Sequence, residues 1–108
     1  MVSFSLKEVL EATGGRLLQG GEMRFEGVST DSRKIRGGEL FFALRGERRD
    51  GHDFVPEAIR KGASGAVIHK ETPGVPPERP LIFVRDTLFA LGSSPGGGER
   101  GVPLRWWR

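Results

Sequence analysis

Two polar segments of this 108-residue chain carry the residue types that bind and orient a charged ligand. They are Thr30-Asp31-Ser32-Arg33 and Gly46-Glu47-Arg48-Arg49-Asp50-Gly51-His52-Asp53. Hydroxyls, backbone amides and the planar fork of an arginine suit phosphate oxygens and the polar edges of uracil or ribose. Each segment follows a stretch that reads as a strand, Phe25 to Ser29 and Leu40 to Leu44. In open α/β sheets ligands lie outside the carboxyl ends of strands, so these are the loops where a site is sought first. A plainer reading stands beside this one, because Asp31 and Ser32 are also common turn formers that bond their own backbone.

Other chemistries find less support. Glu47, Asp50, His52 and Asp53 lie close in sequence but lack metal-ligand spacing, and a His between Gly and Asp at a helix start is more readily a capping or packing residue. His69, at the end of a strand run, reads as a surface or rim residue. Neither G-x-x-x-x-G-K-[ST] nor G-x-S-x-G occurs, so the sequence offers no ATP-binding loop and no esterase-type nucleophile. With no cysteine, disulfides and thiolate chemistry are excluded together, and no catalytic residue is assigned.

The elements that would position these loops alternate along the chain. Ser5-Leu6-Lys7-Glu8 is a capping box, followed by a helix with Leu6, Val9 and Leu10 on one face and Gly14-Gly15 at its end. Arg16 to Gln19, Phe25 to Ser29, Leu40 to Leu44, Ala66 to Ile68 and Leu81 to Val84 read as strands, the Leu-Phe-Phe-Ala-Leu run being the strongest. A second helix is expected from an Asp53 cap to Gly62, and a third from about Asp86 to Leu91-Gly92. Helices between strands of this length predict an α/β fold, a small mixed or parallel sheet with flanking helices.

Length permits one domain, expected over residues 1–92. Beyond it, 93–108 is a Gly/Pro/Arg/Trp tail expected to be disordered or loosely packed. The tail also explains much of the charge. The net charge is +3, of which Arg100, Arg105 and Arg108 against Glu99 supply two, so the body is nearly neutral and a nucleic-acid surface is not expected. No run is long and apolar enough for a membrane span, and the amino terminus lacks a signal-peptide pattern, which makes the cytoplasm the expected compartment.

Gly27-Val28-Ser29-Thr30-Asp31-Ser32-Arg33, followed by Gly38-Glu39-Leu40-Phe41-Phe42-Ala43-Leu44-Arg45-Gly46 and Asp50-Gly51-His52-Asp53-Phe54, closely resembles the N-terminal domain of Mur ligases. Phe4-Ser5-Leu6, Gly14-Gly15, Gly46-Glu47-Arg48 and Val84 to Gly92 look most like the branch that adds D-alanyl-D-alanine to a UDP-muramoyl-tripeptide. The branch adding meso-diaminopimelate or lysine is the alternative within the family. A stand-alone nucleotide-sugar-binding or regulatory module, docking through Trp106 and Trp107, is the alternative of another class.

The resemblance implies a domain that holds the UDP end of a UDP-N-acetylmuramoyl-peptide. The implied substrate contacts are Ser32, with Thr30 nearby, and Gly46, Glu47, Arg48 and Arg49. A Glu47 carboxylate beside a diphosphate sets like charges together, so Arg48, Arg49 and the amides around Gly46 are the better anion partners. ATP and magnesium belong to the full-length family and its central and C-terminal domains, and no cofactor is expected in this chain, which should be inactive alone. Assigning G/C-rich codons to Gly92–Arg108 and reading one base earlier gives a Gln-Leu-Ala-Gly-Trp-Trp-Arg continuation of family type. The tail is therefore expected to be a frameshift product that ends the family sequence before the ATP domain.

Overall fold

The computed structural model describes residues 3–91 and 102–107. Strand β1 (Phe4–Ser5) runs directly into helix α1 (Leu6–Thr13). The capping box forms as the sequence demands: the Ser5 hydroxyl accepts from the Glu8 amide at 3.2 Å, and the Glu8 carboxylate accepts from the Ser5 amide at 3.0 Å. Gly14 ends the helix in the left-handed region at φ 69°, where a side chain would be strained, and its amide donates to the Leu10 carbonyl. Strands β2 (Arg16–Gln19), β3 (Arg24–Phe25) and β4 (Val28–Ser29) follow. The single strand expected from Phe25 to Ser29 is thus two, broken at Gly27 with φ 122°.

A short 3-10 turn (Ser32–Lys34) leads to β5 (Leu40–Phe42). A second one (Gly51–Phe54) continues as helix α2 (Val55–Arg60). Here Asp50, rather than the expected Asp53, supplies the cap, its carboxylate accepting from the His52 amide at 3.0 Å. The helical turn begins two residues before the expected cap, which leaves Asp53 inside it. Strand β6 (Gly65–Ile68), a Pro-rich loop, β7 (Leu81–Phe83) and helix α3 (Thr87–Leu91) complete the body.

The main sheet has five strands in the order β2-β7-β6-β5-β4. The four strands β4 to β7 are parallel to their neighbours, and β2 is antiparallel to β7. A separate antiparallel pair joins β1 to β3. The mixed α/β sheet with flanking helices agrees with the fold class read from the sequence.

Both faces of the central strands are covered, which is why their sequences are apolar runs and not alternations. Leu40, Phe42, Val67 and Ile82 face a core with Phe4, Val9, Phe25 and the inner side of α3. Phe41, Ala66, Ile68 and Leu81 face Val55, Ala58 and Ile59 of α2. A fully buried side chain of this size contributes about 1.5–3 kcal/mol of hydrophobic stabilisation.

Residues 102–107, within the tail expected to be disordered or loosely packed, are described against the body. Val102 and Trp106 are buried in the first core, and Trp107 forms a parallel bridge with Val28 on the otherwise free edge of β4. The apolar area of the indole finds a slot beside Phe4 and outweighs the loop-like composition of the segment. Residues 92–101 lie outside the described residues.

Candidate functional site

An open cleft of about 1050 Å³ lies across the carboxyl ends of the four parallel strands. Each strand supplies residues just past its end: Thr30 and Ser32 after β4, Leu44 and Arg45 after β5, His69 after β6, and Arg85 after β7. This arrangement follows from parallel pairing, since strands that run the same way deliver their following loops to one edge. Phe41, Leu44 and Phe54 give the cleft apolar walls, and Arg33, Arg45, Arg49 and Arg85 give it cationic ones.

Of the residues singled out in sequence, Thr30, Ser32, Gly46 and Arg49 all line this cleft. Glu47 and Arg48 do not. They line an adjoining depression of about 510 Å³ with Asp53 and Lys70, which shares Gly46 and Arg49 with the cleft.

The Thr30–Arg33 segment combines its two readings. Asp31 caps the 3-10 turn, accepting from the Arg33 amide at 2.9 Å, and takes the Arg33 guanidinium in a two-pronged contact at 3.1 Å. The Arg33 side chain holds the Asp31 carboxyl below its usual range. Asp31 is therefore the turn former. Ser32, by contrast, is buried at the cleft wall and its hydroxyl makes no side-chain hydrogen bond to a described residue, which leaves it available to a ligand.

The second loop is closed on itself. Arg45 and Asp50 form an antiparallel bridge, the Gly46 amide donates to the Arg49 carbonyl at 2.8 Å, and the Gly51 amide donates to the Leu44 carbonyl at 2.8 Å. A Cβ at Gly51 would stand 2.7 Å from the Leu44 nitrogen, so only glycine permits this closure. With its amide engaged, Gly46 shapes the turn, while the guanidinium of Arg49 lies 5.9 Å from the centre of the Phe54 ring.

Behind the cleft, His52 is 3% exposed, as the packing reading requires. Its Nδ1 lies 2.5 Å from Asp50 and its Nε2 accepts the His69 amide at 3.0 Å. The tautomer that satisfies both atoms carries the proton on Nδ1. Burial acts to raise the Asp50 carboxyl, but Lys70 and the amide and ring of His52 override it and hold the group well below its ordinary value. Among the described residues no group of three His, Asp or Glu converges in a way that suits a metal ion.

His69, Arg85 and Thr87 are cleft residues that sequence reasoning did not single out, His69 having been read only as a rim position. The signal that finds them is topological: once β6 and β7 are taken as parallel members of one sheet, the residues after them must join those after β4 and β5.

Comparison with known proteins agrees with this geometry. Residues 24–88 match the model of the Mur ligase family, catalytic domain. The UDP-N-acetylmuramoyl-tripeptide--D-alanyl-D-alanine ligase of Escherichia coli is 35% identical over 105 residues, covering 97% of this chain and 22% of that protein. The UDP-N-acetylmuramoyl-L-alanyl-D-glutamate--2,6-diaminopimelate ligase of Gloeobacter violaceus is 40% identical over 88 residues, covering 82% and 18%. Among solved structures, MurF from Acinetobacter baumannii superposes with a TM-score of 0.73 at 30% identity over 85% of this chain and 20% of that one. The chain thus spans about a fifth of the length of these relatives. On the shared fold and the matched residues, the chain belongs to the Mur ligase family and corresponds to its N-terminal domain.

Proposed function

We propose that this chain is the substrate-recognition domain of a peptidoglycan-precursor ligase of the D-alanyl-D-alanine-adding type, and that its cleft takes the UDP end of a UDP-N-acetylmuramoyl-peptide. The observation that carries this reading is the convergence of Thr30, Ser32 and Arg49 on one cleft at the carboxyl ends of β4 and β5. Hydroxyls and an apolar wall suit a nucleoside, and the arginines suit a diphosphate. The names carried by the Escherichia coli and Acinetobacter baumannii relatives support the D-alanyl-D-alanine branch. The 40% identity to the Gloeobacter violaceus ligase favours the diaminopimelate branch as the second reading. No described helix is long and apolar enough to cross a membrane, and we assign the chain to the cytoplasm as part of this reading.

In this reading ATP and magnesium, which the family implies, are held by the rest of the ligase, because the 108 residues contain no G-x-x-x-x-G-K-[ST] phosphate loop. Nucleotide-sugar recognition is therefore assigned to this chain, and the ligation step to the four-fifths of the relatives' length that has no match in these 108 residues. Docking to a partner through both tryptophans is disfavoured, because Trp106 is buried in the core.

Calorimetric titration of the purified chain with UDP-muramoyl-tripeptide, UDP and ATP tests the reading. Weak binding of the UDP compounds with no ATP binding is expected; no binding of UDP or of the UDP-sugar, or measurable ATP turnover, overturns it.

A further inference from the structure

His69 is held more firmly than a rim position requires. Its amide donates to Nε2 of His52, the two imidazoles meet edge to face with ring centres 4.3 Å apart, and its Nδ1 lies 3.1 Å from Oγ1 of Thr87. His52 is itself anchored by Asp50, and Asp50 by Lys70. The ring of His69 is thus placed by a chain of contacts through His52 and Asp50, and the residue lines the cleft.

The direction of the Thr87 contact follows from satisfiability. Thr87 is 1% exposed, and a hydroxyl that is this buried needs an acceptor for its proton. The one side-chain partner its Oγ1 has among the described residues is Nδ1 of His69. Thr87 therefore donates and Nδ1 accepts. An uncharged imidazole whose Nδ1 accepts carries its proton on Nε2. Burial pushes the His69 imidazole below its ordinary range, in keeping with an uncharged ring at neutral pH. Nε2 has no partner among the described residues, and His69 lines the cleft.

We propose that His69 is a specificity-determining residue of the cleft: Thr87 fixes the ring with its proton on Nε2, and that N–H donates to an acceptor oxygen of the bound nucleotide. Thr87 acts through His69 and is a positioning residue. The ligand half of this assignment rests on the nucleotide reading of the cleft; the tautomer half does not. An uncharged donor accepts no proton from a ligand and repels none of its cationic groups, so its selection is for an acceptor at one place. The acceptor is either a base carbonyl or an oxygen of the sugar-diphosphate.

The test has two parts on the full chain. Nitrogen-15 NMR of the imidazoles at pH 7 is expected to show His69 protonated at Nε2 and unprotonated at Nδ1, and Thr87→Val, which keeps the shape but removes the hydroxyl, should release it into a mixture of tautomers. A proton found on Nδ1 in the wild type overturns the proposal. Calorimetry with UDP and CDP then reads the ligand contact. His69→Ala should weaken UDP about tenfold, as expected when a buried hydrogen bond is removed, with partial recovery in His69→Gln, whose amide can still donate. Loss for UDP alone assigns the acceptor to the C4 carbonyl of the base, since cytosine presents an amino donor there; equal loss for both assigns it to the C2 carbonyl that the two bases share or to the sugar-diphosphate. Unchanged UDP affinity in His69→Ala, with UDP bound by the wild type, overturns the contact. A wild-type chain that binds no UDP at all overturns the nucleotide reading and the ligand assignment with it, while the NMR result still decides the tautomer.

Discussion

The indole of Trp106 lies flat on the ring of Phe4, with centroids 4.0 Å apart and planes 4° from parallel. One residue opens the first strand of the chain and the other stands almost at its end. Phe4 also leans on Phe25 at 5.7 Å, so the stack seals one side of the core under α1. Trp106→Ala should lower stability by about 3–5 kcal/mol, the usual cost of emptying a large aromatic site. Urea denaturation followed by circular dichroism checks it. An unchanged midpoint would return 102–107 to the loosely packed tail that its composition suggests.

Asp50 ties the second loop to Lys70 and His52. Because its folded-state pKa is depressed below the ordinary carboxyl value, its contribution to stability is fully present above that value and is lost as pH falls below it. Unfolding midpoints at pH 7 and pH 3 should therefore drop more for the wild type than for Asp50→Asn. Equal drops in the two proteins would show that the loop contacts make no pH-dependent contribution.

Glu39 is 2% exposed, and its two carboxylate oxygens accept the amides of Arg36 at 2.8 Å and Gly37 at 2.7 Å. It holds the connection from the 3-10 turn into β5. Glu39→Ala leaves those amides without this acceptor and should cost about 1–3 kcal/mol. A thermal melt within error of the wild type would contradict that role.

Arg49 lines both the main cleft and the adjoining depression, whereas Arg48 lines the depression alone. Arg49→Ala should weaken UDP about tenfold, in line with a charge-assisted contact of roughly 1.5–3 kcal/mol, and Arg48→Ala should change it by less than threefold. The reverse order would move the diphosphate from the main cleft to the adjoining depression. Ser32→Ala should also weaken UDP, measured in the same titrations, because its hydroxyl has no competing side-chain partner among the described residues.

Much of the local structure was legible in the amino acids alone. The Ser5–Glu8 box, the Gly14 stop and the apolar runs of β5, β6 and β7 form where the sequence places them, because caps and buried strands depend on residues that are neighbours along the chain. The two loops after β4 and β5 were likewise legible as polar loops at the carboxyl ends of strands, where they line the cleft. The tertiary structure alone decided which loops share a site. An apolar run says that a strand is buried but not beside which strand, and the order β2-β7-β6-β5-β4 is what carries His69 and Thr87 to the cleft of Ser32. It also decided the place of Trp106, whose linker-like surroundings gave no sign of Phe4, since a contact across nearly the whole chain is set by the shape of the slot and not by any local pattern.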